Sequence, residues 1–316
     1  MNSDELRLRV ECYVAIRRAL GHLVRSDEKL LKDFVQFVEC HAAAGPIRAQ
    51  AAIDWACAPA PGRGPAGQAS RLKLVRRFLC HLQAFEFETE VPGPGALPPL
   101  RRPRPYLYSA EEIATLMEQA SQLGPKDSLR PHTYVALIGL LASCGLRVGE
   151  ALRLKVQDVR FGDGHPHLQV IQTKFRKSRL VPLHASSAEH LAQYAAHRKR
   201  LGYDALSDAF FVSEQGAHLS YRACRDTFSG LIHRADICQR PGTGRPGIHS
   251  LRHGFAVNRM IEWHRAGLNV RQWVPHLSVY LGHVQPAHTY WYLTATPELL
   301  STAAEAFCQY AQGGQP

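Results

Sequence analysis

The sequence predicts a mainly α protein with a small antiparallel β-sheet (an α+β fold) in two parts. Three observations carry that expectation. Apolar residues recur at helical spacing over residues 4–85, six prolines crowd residues 92–105, and short strand-like runs then sit between further helical stretches. The expected division is a helical domain over 1–90, a Pro/Arg-rich linker over 91–106 and a second domain over 107–316.

In the first part, Leu6, Val10, Val14 and Ile16 form one stripe, and Leu30, Leu31, Phe34, Phe37 and Val38 a second. A Gly/Pro-rich stretch at 58–67 breaks the pattern, which resumes with Leu72, Leu74, Val75, Phe78, Leu79 and Leu82. Arg71, Lys73, Arg76 and Arg77 flank that last stripe and are candidate phosphate contacts. Proline removes donors and stiffens a chain, so the following stretch reads as an extended linker whose Arg101, Arg102 and Arg104 can track a polyanion. Ser109-Ala110-Glu111-Glu112 has the capping-box pattern that starts a helix. Residues 134–142 are nearly all apolar, as in a buried helix. Strands are expected at 156–161, 168–172 and 179–183, and helices at 187–201, 222–234, 250–265 and 297–312.

A net charge of +11 and a pI near 9.4 favour a polyanionic partner. The eight cysteines are scattered with no Cys-x-x-Cys pair, which argues against a zinc ribbon; Cys80 and Cys308 lie in apolar helical stretches and read as small buried hydrophobes. The charged N-terminus lacks an apolar signal core, and no apolar run reaches the roughly 18 residues that span a bilayer. A reduced, cytoplasmic protein with no membrane partner is the expectation.

Three segments carry chemistry: Gly145-Leu146-Arg147-Val148-Gly149-Glu150, His249-Ser250-Leu251-Arg252, and Leu281-Gly282-His283 with Tyr292 beyond it. Cleaving a phosphodiester without metal requires charge to be met on the non-bridging oxygens, a nucleophile to be activated and the leaving oxygen to be protonated. Arg147 and Arg252 suit the first need, because a guanidinium stays charged and presents forked donors. Tyr292 is the candidate nucleophile; ionising a phenol at pH 7 costs about 4 kcal/mol, which nearby cations reduce. His249, three before Arg252 on a helix, and His283, at the turn, can move protons near neutral pH. His253 follows His249 by four, a spacing that can hold zinc, but no third ligand is evident. Lys174, in Thr173-Lys174-Phe175-Arg176-Lys177-Ser178-Arg179, is a candidate general acid, and Lys177 competes with it. Neither a carboxylate cluster suited to two-metal chemistry nor a Gly-x-x-x-x-Gly-Lys-Ser/Thr loop stands out, so neither metal nor nucleotide cofactor is expected.

Together these segments resemble the tyrosine recombinase (phage integrase) family, over residues 105–310. Arg147 resembles the residue of the first arginine box, with Glu150 as its brace, and His249 to Arg252 resembles the His-x-x-Arg box. His283, with Tyr292 nine residues on, resembles the closing motif. Lys174 lies six before Leu180-Val181-Pro182, as the family's hairpin lysine does, although Thr173 and Phe175 flank it where glycines are common. The resemblance implies a helical core-binding domain before a catalytic domain. It also implies an active site of Arg147, Lys174, His249, Arg252, His283 and Tyr292, and a 3′-phosphotyrosine formed on double-stranded DNA. A monomer or dimer would hold one site and a tetramer the synaptic complex, with an apolar C-terminal helix docking between subunits. The spacing favours Tyr292 over Tyr290 as nucleophile. Two rival readings are a type IB topoisomerase-like enzyme and a non-catalytic DNA-binding accessory protein.

Overall fold

Leu6, Val10 and Val14 line the buried side of α1 (Ser3–Ala19) in the computed structural model, which describes residues 3–22, 24–41, 45–61, 63–100, 103–162, 164–171, 178–283, 285–294 and 299–300. The chain divides into two compact units, Met1–Arg102 and Pro103–Pro316. In the first, α1 packs with α2 (Arg25–His41), α3 (Ala49–Cys57) and α4 (Pro65–Leu82) around Leu31, Phe34, Trp55, Val75, Phe78 and Leu79. The 58–67 break falls between α3 and α4, and Pro65 sits in the first turn of α4, where its missing N–H costs nothing.

Three expectations fail in this unit. Arg71 faces inward: its guanidinium lies 3.6 Å over the Trp55 ring and donates to Asp33 Oδ2 at 3.1 Å and to the Trp55 carbonyl at 3.2 Å. Buried to 8% exposure, it is a core residue, while Lys73 and Arg77 are exposed and Arg76 is half-buried, donating to the Pro92 carbonyl. Cys80 is exposed, because the buried face of α4 runs through Phe78, Leu79 and Leu82. Val91, Ala96 and Leu97, expected in a linker, pack against this core.

The second unit begins with Tyr106 and Tyr108 already buried. Ser109 and Glu112 close the capping box of α5 (Ala110–Ser121), with side chain to backbone distances of 3.1 and 2.8 Å. The all-apolar stretch is α6 (Arg130–Cys144), and it is buried on several sides because α5, α8 (Ala185–Arg200) and α10 (His249–Arg265) all pack on it. Short α7 (Val148–Leu152) follows the α6 cap. The antiparallel sheet has order β1 (Val159–Arg160), β2 (His167–Val170), β3 (Arg179–Pro182), with Leu168 opposite Val159 and Val181. The first strand is shorter than the expected 156–161, since Val156–Asp158 winds into a 3-10 turn with Asp158 Oδ2 accepting from Lys155 N at 2.9 Å.

After α9 (Tyr221–Arg234), α10 pairs with α11 (Val270–Leu281), a helix capped by Asn269 that the sequence reading did not single out. The tyrosine segment is a four-residue helix, α12 (Ala287–Tyr290), running into a 3-10 turn at Trp291–Thr294. Tyr292 and Leu299 join Ala256, Val257, Met260, Val274, Leu277 and Leu281 in a separate apolar cluster. Lys174, Lys177, Arg101, Arg102 and Cys308, and most of the expected 297–312 helix, lie outside the described residues. Among the described residues, no helix is long and apolar enough to cross a membrane.

Candidate active site

A helix leaves its last carbonyls without intrahelical partners, and its dipole makes that end partly negative. The end of α11 uses three such carbonyls in succession to gather three arginines from distant segments. Arg179 Nε donates to the Tyr280 carbonyl, Arg252 Nη2 to Leu281 and Arg147 Nη2 to Gly282, at 2.7, 2.7 and 2.8 Å. Gly282 ends the helix in the left-handed region at φ 66°, and a Cβ there would lie 2.9 Å from Arg179 Nη1. Gly145 ends α6 the same way at φ 59°, and its carbonyl accepts from Arg252 Nη1 at 2.7 Å. A Cβ on Gly145 would lie 2.3 Å from the Phe255 ring, so both turns require glycine.

Glu150 is buried and bridges two of these arginines. Its Oε1 accepts from Arg147 Nη1 at 2.8 Å, its Oε2 from Arg179 Nη2 at 2.9 Å, and Oε2 also takes the Arg147 backbone N–H at 3.1 Å. Burial alone would raise its pKa, but the Arg179 hydrogen bond and charge, followed by those of Arg147, hold it below the ordinary range. Arg252 is 2% exposed, and burial first, then the Arg147 charge, push it down to about 10, which leaves it cationic at neutral pH.

Between Arg252 and Thr289 sits the half-buried His283. Its Nε2 is 3.0 Å from Arg252 Nη2 and its Nδ1 2.6 Å from Thr289 Oγ1. A guanidinium only donates, so Nε2 accepts and the ring proton belongs on Nδ1. Burial, then the charges of Arg252 and Arg147, lower its pKa to about 3. In this arrangement His283 braces the turn, with both nitrogens engaged.

Tyr292 is 3% exposed, and its hydroxyl lies 2.8 Å from His253 Nδ1. Tyr290 is 40% exposed, on the short helix before it. His249 opens α10 on the exposed side, its ring edge-on to His253 with centroids 4.7 Å apart. This is the pair with zinc-like spacing, yet no group of three or more metal-ligating side chains gathers among the described residues.

The structure therefore brings together Arg147, Glu150, Arg252 and His283 by direct contact, and sets His249, His253 and Tyr292 together beside Arg252 along α10 and the 3-10 turn. Arg104 lies on the surface, its carbonyl accepting from Gly244 N at 2.7 Å, apart from this cluster. Sequence reasoning missed Arg179, His253 and Thr289 as site residues. Arg179 had a signal: strand alternation puts it on the same face as buried Val181, opposite exposed Leu180.

Residues 107–298 match the model of the phage integrase family. The chain is 38% identical over 302 residues to a protein of Sinorhizobium fredii (strain NBRC 101917 / NGR234) that carries the name integrase/recombinase y4rB, covering 94% of this chain and 95% of that one. It is 29% identical to a tyrosine recombinase XerC of Oceanobacillus iheyensis over 66% of this chain and 62% of the relative. In fold it is similar to the Tn1549 transposon integrase in complex with transposon right end DNA, with a TM-score of 0.66 at 14% identity, covering 96% of this chain and 99% of that one. The XerH recombinase bound to difH substrate gives 0.63 at 18% identity, covering 97% and 84%. The family model spans more than half of the chain and the Sinorhizobium relative nearly all of it, so the chain belongs to the phage integrase family and is a tyrosine-type DNA recombinase/integrase.

Proposed function

We propose that this protein is a site-specific recombinase of a mobile element that cuts and rejoins double-stranded DNA through a 3′-phosphotyrosine on Tyr292, using neither metal nor nucleotide. The observation that carries this reading is the meeting of Arg147 and Arg252 at the Gly282-His283 turn, with Tyr292 a few residues further on. A guanidinium has five N–H donors, so anchoring to a carbonyl leaves capacity for phosphate oxygens. Fixed cations aimed at developing charge favour the transition state over the ground state. The Tyr292 phenol gives its proton to the His249 imidazole as its oxygen bonds to phosphorus, the bond to the 5′ oxygen breaks, and that oxygen takes a proton from Lys174, with Lys177 as the rival donor. The phosphotyrosine conserves the bond energy, and attack by a 5′-hydroxyl reverses the step on the same or a second duplex.

The relatives favour recombination over simple relaxation: the structure of the similar transposon integrase is a complex with transposon right end DNA and that of XerH a complex with difH substrate. On this reading one or two copies occupy a site and four form the synaptic complex. A DNA substrate fits the cytoplasmic location expected from the sequence.

Covalent trapping tests the reading. A pool of random-sequence duplexes is incubated with the protein, denatured adducts are recovered, and a nicked duplex is built from the enriched sequence. Wild type and Tyr290→Phe should form a denaturant-stable protein–DNA band and Tyr292→Phe should not. A band that persists in Tyr292→Phe sinks the assignment. Joining of two separate duplexes then distinguishes a recombinase from a topoisomerase.

A further inference from the structure

Arg147 takes its direction from two anchors. Its Nη1 donates to Glu150 Oε1 and its Nη2 to the Gly282 carbonyl, each at 2.8 Å. A neighbouring arginine touches the supports of both. We propose that Arg179 is a positioning residue for strand cleavage, holding Glu150 and the Gly282 turn at the spacing that aims Arg147 at the scissile phosphate. The assignment rests on the recombinase reading above.

On the carboxylate side, Arg179 Nη2 donates to Glu150 Oε2 at 2.9 Å, and Nη1 approaches Oε1 at 3.4 Å. On the helix side, Nε donates to the Tyr280 carbonyl at 2.7 Å, and a Cβ on Gly282 would meet Nη1 at 2.9 Å and Cζ at 3.2 Å. A guanidinium is a rigid plane, so one side chain in contact with both supports fixes the distance between them. The sheet in turn fixes the backbone of Arg179, which pairs with Val170 across β2 and β3.

The two arginines divide the work. The Glu150 side chain is 1% exposed, that of Arg179 14% and that of Arg147 28%, so Arg147 is the one open to an incoming phosphate. A phosphate that draws on the Arg147 donors competes with Glu150 for them, and a buried carboxylate left without a partner is strongly unfavourable. Burial raises the Glu150 pKa, while the hydrogen bond and charge of Arg179, larger than the hydrogen bonds of Arg147, hold it below the ordinary range. Glu150 thus stays ionised and in place while Arg147 turns to the DNA. Arg252 has its own anchors in the Gly145 and Leu281 carbonyls, so loss of Arg179 should misdirect Arg147 alone.

The test uses the full chain, in excess, on the nicked duplex recovered by covalent trapping. Single-turnover adduct formation gives a rate constant, which reports alignment, and an amplitude, which reports the folded fraction. Arg179→Gln should lower the rate constant about 10²-fold, the cost of a misplacement of about an ångström, while binding of the same duplex stays near that of wild type. Glu150→Gln should be slow as well, and the double variant little slower than the slower single one, because both act on one arginine. Independent losses of that size would instead multiply to about 10⁴-fold. Arg179→Lys keeps the charge but lacks the planar fork, so it should also be slow; it repeats the comparison should the Gln protein not fold. A wild-type rate constant in either Arg179 variant, a loss confined to amplitude or to DNA binding, or losses that multiply with Glu150→Gln would overturn the assignment. Failure of wild type to form any adduct removes the recombinase reading itself, so the two failures are distinct.

Discussion

At the scale of single residues, His283 makes the sharpest prediction. Its folded pKa is depressed to about 3 by burial and by Arg252 and Arg147, against an ordinary value of 6.5. As pH falls below 6.5 the unfolded chain takes up a proton that the folded ring refuses, so the stability present above 6.5 is lost progressively toward about 3. Glu150 acts in the same direction at lower pH, as its carboxylate protonates below its ordinary value of 4.5. Histidine NMR titration should find the His283 ring neutral down to pH 5, with its proton on Nδ1; a ring that titrates near 6.5 would contradict the bracing role. Arg147 and Arg252 were legible in sequence because each lies in a short box whose neighbours fix its direction. Arg71 was legible too, but misread: it precedes Val75, Phe78 and Leu82 by four, seven and eleven, which places it on the buried stripe rather than beside it.

At the scale of elements, the C-terminal end of α11 organises the site. Gly282→Ala would put a Cβ against Arg179 at a left-handed position, which costs about 1–2 kcal/mol in backbone strain alone. It should lower stability by at least that much and slow adduct formation by about 10²-fold, the loss expected when a clamp residue is displaced by an ångström. Denaturant melts and single-turnover rates measure both. Arg179→Gln leaves buried Glu150 with one arginine fewer and should cost about 3 kcal/mol, the scale for breaking a buried ion pair. An unchanged melt in Arg179→Gln would show that the bridge is not structural. The Gly282-His283 turn could be read from sequence, because glycine after an apolar run ends helices. The helix before it was harder to see, since Pro275 interrupts the pattern, and its convergence with β3 is a tertiary fact that no local spacing encodes.

At the scale of the whole molecule, a net charge of +11 should make DNA binding fall steeply with salt, as phosphate contacts release counterions. Lys73→Ala and Arg77→Ala, both exposed on α4, should weaken binding across all sequences and each lower the log–log salt slope by about one. Arg71→Ala should instead destabilise the first unit, because it uncovers Asp33 and the Trp55 face. Salt titrations and melts separate these outcomes, and an Arg71→Ala protein of normal stability with a reduced slope would reverse the assignment. The division into a helical first unit and a mixed second one was visible in the proline-rich stretch, but its edges were not. Val91 and Leu97 are drawn onto the first core and Tyr106 into the second by burial that composition does not reveal. The proposed reaction depends on one tyrosine forming the bond to DNA. Nuclease and protease digestion of the trapped adduct, followed by peptide mass spectrometry, reads that residue directly. The nucleotide remnant should lie on Tyr292; a remnant on Tyr290 or on any other residue would contradict the account.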